Sequence, residues 1–187
     1  LFKINKEIHM MLASDDPVSI TKSMGLALMS FSEAFSQMKP DILLILGDRY
    51  EVFAAASAAM VSQIPIAHIH GGEATEGLID EAIRHSITKM SHLHFTAAEK
   101  YKERVIQLGE KPESVFCTGG MAIESIKNLS LLSKRELEDD LNFTFGKKNL
   151  LVTFHPVTLE DNSSKKQFSN LLESLSILDD TKIIFTK

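Results

Sequence analysis

The feature that most constrains this chain is the regular alternation of short apolar runs with longer segments of helical period. Such alternation is the signature of βαβ units on a parallel sheet. Asp16-Pro17 followed by Ile20, Met24, Leu28, Phe31 and Phe35 predicts a long helix with proline in its first turn, ending near Lys39-Pro40. Residues 42–46, 64–69, 93–95 and 115–118 read as four strands, and 150–154 and 182–185 as two more. Helices are expected over 51–62, 80–90, 121–128 and 164–178. Thr96-Ala97-Ala98-Glu99 and Ser133-Lys134-Arg135-Glu136 have the spacing of capping boxes, the first opening a helix to Leu108. A domain boundary is expected at 141–148, where a polar, glycine-containing break precedes a new strand, giving domains 1–145 and 146–187. The second has too few elements to stand alone, and the first begins with a helix feeding its first strand. A fragment of a larger enzyme is therefore expected.

Composition narrows the function classes. Lys plus Arg number 20 against 25 Asp plus Glu, a net charge of -5, so no whole-protein positive field favours nucleic acid or an anionic membrane. Apolar runs such as residues 42–46 fall far short of the ~20 residues of a membrane helix, and no signal-peptide pattern occurs in residues 1–20. A cytoplasmic protein is expected. Cys117 stands alone, which excludes an internal disulfide framework and a multi-cysteine zinc site.

In open parallel sheets ligands bind beyond the carboxyl ends of the strands, so the residues just after each strand carry the information. They are Gly47-Asp48-Arg49, then His70-Gly71-Gly72-Glu73, then Thr118-Gly119-Gly120, and His155-Pro156 after the fifth strand. Any one is ordinary turn chemistry, but four strand ends with ionisable or glycine-rich residues point to a cleft. Asp48 alone reads more readily as a helix cap than as a general base or sugar-hydroxyl acceptor. Gly71 and Gly72 would let backbone approach a phosphate or sugar oxygen. Asp80 with Arg84, and Glu81 with His85, are spaced as surface ion pairs on one helix. His68 and His70 are expected on one strand face, and His92 and His94 near the sheet edge. A metal site on the histidines is the lesser reading, since no His-Glu-x-x-His helix is present. No P-loop, nucleophile elbow or Gly-x-Gly-x-x-Gly occurs, so kinase, esterase and dinucleotide readings lose support. The remaining fit is an anionic, hydroxyl-rich ligand such as a sugar nucleotide.

Leu46-Gly47-Asp48-Arg49-Tyr50-Glu51, Ala67-His68-Ile69-His70-Gly71-Gly72-Glu73, the segment 79–89 beginning Ile79-Asp80-Glu81, and Thr153-Phe154-His155-Pro156-Val157-Thr158 together resemble the UDP-N-acetylglucosamine 2-epimerase family, in the spacing of its hydrolysing branch. The resemblance covers most of the chain. It implies a GT-B-like α/β architecture of two Rossmann-like domains with UDP-sugar between them, no cofactor, and a homo-oligomer. It also implies elimination of UDP across C1–C2 to a glycal, followed by water addition that inverts C2. By motif position Asp48 and Asp80 match the family's proton-transfer or C2/C3-positioning acids. Arg84 and His155 match residues that hold substrate and diphosphate, with Arg49, Gly71 and Gly72 beside them. Many relatives have Glu where this chain has His70, so either His70 takes over proton transfer or Glu73 supplies the carboxylate. UDP-N-acetylglucosamine is the first expected substrate, for sialic-acid-like sugars, and UDP-N,N'-diacetylbacillosamine, on the legionaminic acid route, the alternative. A nonhydrolysing epimerase, a GT-B glycosyltransferase, a noncatalytic sugar-nucleotide sensor and a metal hydrolase on His68 and His70 complete the alternatives. The 187 residues alone are expected to turn over little.

Overall fold

Asp16 opens the first helix as its side chain accepts from the backbone N–H groups of Val18 (2.9 Å) and Ser19 (3.0 Å). The computed structural model describes residues 3–12, 14, 16–155 and 163–186. In chain order the elements are α1 (Pro17–Met38), β1 (Leu43–Leu46), α2 (Tyr50–Val61), β2 (Ile66–Ile69), α3 (Ile79–Met90), β3 (Leu93–Thr96), α4 (Glu99–Gln107), a single 3-10 turn (Pro112–Ser114), β4 (Val115–Cys117), α5 (Met121–Asn128), α6 (Lys134–Asp140), β5 (Lys148–Val152), α7 (Ser164–Ser176) and β6 (Thr181–Phe185). They cluster into two units, Leu1–Glu124 and Ser125–Lys187.

In the first unit the four strands run parallel in the order β1-β2-β3-β4. Every connection steps one strand in the same direction, and right-handed crossovers then stack the connecting helices on one face. The strand side chains show this: Ile45, Ile66, His68, His94, Thr96 and Val115 are buried, whereas Leu44, Leu46 and Phe116 on the alternate side are exposed. The core joins Ile45, Ile64 and Ile66 to Phe35 of α1, Ala56, Ala58 and Ala59 of α2, and Ile83 and Ile87 of α3. The alanines of α2 let it lie close between α1 and α3, which is why that helix is apolar nearly all round.

Two local readings are corrected. The pattern Thr96-Ala97-Ala98-Glu99 is not a capping box. Ala98 is the N-cap of α4 without a side-chain bond, and Thr96 is buried in β3. Its hydroxyl is 3.4 Å from the carbonyl oxygens of Ala98 and Phe116. His94 does not lie at a sheet edge either, because β3 is flanked by β2 and β4 and leaves its ring wholly buried. His92 precedes that strand, exposed, with Nδ1 accepting from the Ile66 N–H at 3.3 Å.

The second unit contains a parallel pair, β5 and β6, joined through α7. Phe168 packs its ring against Phe154 (5.3 Å between centroids) and Phe185 (6.1 Å). At α6 the capping box is real: Ser133 accepts from the Glu136 N–H and Glu136 from the Ser133 N–H. The polar break at 142–148 falls inside this unit, between α6 and β5. Glu138 accepts from the Phe145 N–H at 2.7 Å, and the Lys182 ammonium lies over the Phe143 ring at 5.3 Å.

Ile87 is fully buried in α3 and touches the centre of the first core. Ile87→Ala is expected to destabilise the protein by roughly 2–5 kcal/mol in a denaturant titration. The same truncation at exposed Val61 stays within about 0.5 kcal/mol.

Candidate active site

Parallel pairing puts the carboxyl ends of β1, β2, β3 and β4 on one edge, and there a cavity of about 450 Å³ is lined by Leu46, Gly47, Asp48, His70, Glu73, Met121 and Ala122. A cavity of about 430 Å³ lies at the opposite edge, lined by Phe35, Lys39, Asp41, Gln63 and Pro65 among others. Only the first gathers a carboxylate and a histidine–carboxylate pair.

His70 stands just past the end of β2, in a left-handed backbone conformation (φ 66) uncommon outside glycine. The strand alternation therefore stops at Ile69, and His68 and His70 do not share a face. The His70 Nδ1 lies 2.7 Å from Glu73 Oε1. An ionised carboxylate only accepts, so Nδ1 carries the proton and Nε2 is left as the basic nitrogen. Sequence offered His70 or Glu73; geometry joins them, with Glu73 orienting the ring.

Arg84 is the larger surprise. It is only 3% exposed, and its partner is not Asp80 one helical turn before it. The guanidinium forms an ion pair with Asp48, donates to the Glu73 carbonyl at 2.6 Å and to the Thr75 hydroxyl at 3.0 Å. Its donors are turned inward, toward the protein, so Arg84 braces Asp48 against the loop that carries the dyad. Asp80 sits half-buried in the first turn of α3 and does not line the cavity. Its neighbour Glu81 accepts from the Thr75 N–H at 2.6 Å and lies 3.8 Å from His85. Arg49 is exposed at the N-cap of α2, 3.4 Å from Glu51. His155 is exposed after β5, in the second unit; Pro156, Val157 and Thr158 of its motif lie outside the described residues.

The two loop glycines are required for internal packing. A Cβ at Gly71 would come 3.1 Å from the His68 ring and 3.3 Å from the Thr88 hydroxyl. Gly72 has φ 80, and a Cβ there would run into the Tyr101 carbonyl oxygen. The space expected for a ligand is taken by the protein itself. Arg104 donates to the Gly72 carbonyl, so residues 72–75 are held by α3 and α4 together. Arg104, Thr75 and Glu81 carry no local sequence signal for this, since their partners are fixed only when the helices pack. Among the described residues no group of three or more His, Cys, Asp or Glu is placed to hold a metal ion, and no helix is long and apolar enough to cross a membrane.

The whole chain, residues 1–187, matches the family model described as UDP-N-acetylglucosamine 2-epimerase. The chain belongs to that family. A Campylobacter jejuni protein named GDP/UDP-N,N'-diacetylbacillosamine 2-epimerase (hydrolyzing) is 48% identical over 186 residues, covering 100% of this chain and 48% of that protein. The polysialic acid biosynthesis protein P7 of Escherichia coli is 45% identical over 183 residues, covering 96% of this chain and 46% of that protein. Among solved structures, the Neisseria meningitidis UDP-GlcNAc 2-epimerase bound to UDP-GlcNAc matches with a TM-score of 0.74 at 20% identity, over 99% of this chain and 59% of that one. The Rickettsia bellii UDP-N-acetylglucosamine 2-epimerase matches at 0.70 and 25% identity, over 92% and 45%. The α/β fold is thus that of the GT-B epimerases, and the chain spans about half the length of the curated relatives it matches.

His68 is wholly buried beneath this site, and burial pulls its pKa down to about 4, opposed by the bond to the Gly47 carbonyl and helped by the repulsion that a second proton on nearby His94 would add. A folded-state value below the unfolded 6.5 means that the unfolded chain binds the proton more readily. Stability from this group is complete above about pH 6.5 and is lost as pH falls toward 4. The loss reaches about 3 kcal/mol. In urea titrations across that window, wild type is expected to lose more stability than His68→Gln, by at most one proton's slope; identical slopes would contradict the buried neutral ring.

Proposed function

We propose that the full protein is a hydrolysing UDP-sugar 2-epimerase, converting UDP-N-acetylglucosamine and water to N-acetylmannosamine and UDP. The observation that carries this reading is the convergence of Asp48 and the His70–Glu73 pair on one strand-edge cavity, in a chain whose whole length matches the family. His70 Nε2 takes the proton from C2. The C1–O bond breaks with its electron pair leaving on UDP, and a C1–C2 double bond forms. Water then adds its hydroxyl to C1 while a proton reaches C2 on the opposite face, so one water is consumed. Glu73 holds the His70 tautomer and stabilises the imidazolium that forms, as a carboxylate does behind any histidine base. Asp48, with Oδ2 engaged by Arg84, keeps Oδ1 for a sugar hydroxyl or the water. Asp80, in the first turn of α3 and outside the cavity lining, is assigned by motif position the role of second proton-transfer or C2/C3-positioning group. Arg49 serves the substrate and its diphosphate, and His155 is assigned the same role by its motif position alone. The 71–72 backbone, packed against His68 and the Tyr101 carbonyl, shapes the loop instead of meeting the ligand.

A second substrate is favoured by a specific finding. Relatives at 48% and 39% identity, from Campylobacter jejuni and Legionella pneumophila, are named for N,N'-diacetylbacillosamine. The 4-acetamido-6-deoxy analogue therefore stands beside UDP-N-acetylglucosamine, within the same mechanism. The reading includes a place in the synthesis of sialic-acid-like sugars, a cytoplasmic location and a homo-oligomeric enzyme.

The test is a proton NMR time course in D2O with each UDP-sugar. The expected result is free UDP with a C2-deuterated manno-configured sugar from one of them, and a rate lower by about 100-fold or more in His70→Asn. A UDP-linked manno product without free UDP would make the enzyme nonhydrolysing. Unchanged substrate in both tubes, or near-normal rates in His70→Asn, Asp48→Asn and Asp80→Asn alike, would defeat the proposal.

A further inference from the structure

The His68 ring lies on the helix-covered face of β2, with Nε2 2.9 Å from the Gly47 carbonyl oxygen. A carbonyl only accepts, so Nε2 carries the proton and Nδ1 is a bare lone pair. No partner among the described residues reaches Nδ1, which lies under Gly71. A second proton there would meet no acceptor among the described residues. The charged or titratable groups around the ring are His94 from β3, Asp48 after β1 and Arg84 from α3, and the depressed pKa agrees with an imidazole that is neutral near pH 7.

What the ring holds matters more than its charge. The Gly47 N–H donates to the Ile69 carbonyl at 3.2 Å, extending the β1–β2 ladder by one residue, while the Gly47 carbonyl receives the His68 proton. Gly47 turns left-handed (φ 89), and its carbonyl belongs to the peptide plane that leads into Asp48. Pinning that plane sets the direction in which Asp48 leaves the sheet, before Arg84 meets its carboxylate. The other edge of the same ring supports Gly71, the residue after His70. One imidazole thus touches both turns that carry the functional groups of the cavity.

We infer that His68 is a positioning residue, which fixes the Asp48 turn and the His70 loop relative to one another without touching substrate. The proposal rests on the proposed function only for its kinetic readout. The experiment compares His68→Leu, which removes the donor, with His68→Gln, whose side-chain amide can still reach the Gly47 carbonyl. Both are made in the full protein and followed by kcat, KM and thermal denaturation. His68→Leu is expected to lower kcat by about 10- to 100-fold with KM within about twofold, because misplacement penalises the reacting geometry more than binding. His68→Gln is expected to recover most of that loss. A folded His68→Leu with wild-type kcat overturns the inference, as does a His68→Gln equally impaired at the same melting temperature as His68→Leu.

Long-range proton–nitrogen spectra of the imidazoles supply a readout that needs no turnover. Wild type is expected to show a neutral, Nε2-protonated His68 at about pH 7 and unchanged at about pH 5. A charged ring or the Nδ1–H tautomer overturns the inference. Absence of UDP release by the wild type would instead defeat the proposed function, and the spectra would still decide the role of His68.

Discussion

The buried guanidinium of Arg84 is the constraint on which the site depends. A charge with only 3% exposure is tolerable when its donors are met, and removal of one partner from such a pair costs several kcal/mol. Arg84 finds its acceptors on two separate segments: the Asp48 carboxylate after β1, and the Glu73 carbonyl and Thr75 hydroxyl after β2. The helix that carries it, α3, therefore ties together two turns that the sheet alone would leave as independent loops. Glu81 from the same helix and Arg104 from α4 add anchors at Thr75 and Gly72. Turns held this way keep Asp48 and the His70–Glu73 pair fixed in place, and for the proposed chemistry such preorganisation would spare reorganisation as charge develops.

Beneath the brace lies a polar layer inside an otherwise apolar sheet. His68 and His94 sit in register on neighbouring strands, both fully buried. Burial drives the pKa of both below the ordinary histidine value; for His94 the carboxylate of Glu110, 3.3 Å away, pulls the other way. Neutral rings fit here because imidazole offers one directed donor in nearly apolar volume. In His68 that donor is spent on the turn before Asp48, which an aliphatic side chain could not hold.

Much of the fold was legible because its signals are local. Strand runs, helix periods, the Asp16-Pro17 start of α1 and the motifs after each strand all lie within a few residues of chain. The limits of such reading appear in the two capping-box patterns. Ser133 and Glu136 close theirs because the helix start is exposed and no tertiary contact competes. Thr96 and Glu99 do not, because Thr96 is still within β3 and its hydroxyl belongs to the sheet. His68 and His70 fail the alternation rule for a similar reason: the ladder ends at Ile69, and the chain turns left-handed one residue later.

By itself the sequence determined the parallel α/β class, the edge on which chemistry gathers, and the identity of Asp48, His70 and Glu73 as residues of that edge. Those facts follow from periodicity and from the chain direction shared by parallel strands. Only tertiary structure decided that Arg84 faces Asp48 rather than Asp80, that Glu73 orients His70, and that Gly71 and Gly72 make room for His68 and the Tyr101 carbonyl. Each of these joins residues whose helices and turns meet only when the core is packed, or sets a side chain by a backbone turn that propensity leaves open. A buried charge takes the acceptor that desolvation leaves within reach, and sequence spacing does not say which one that is.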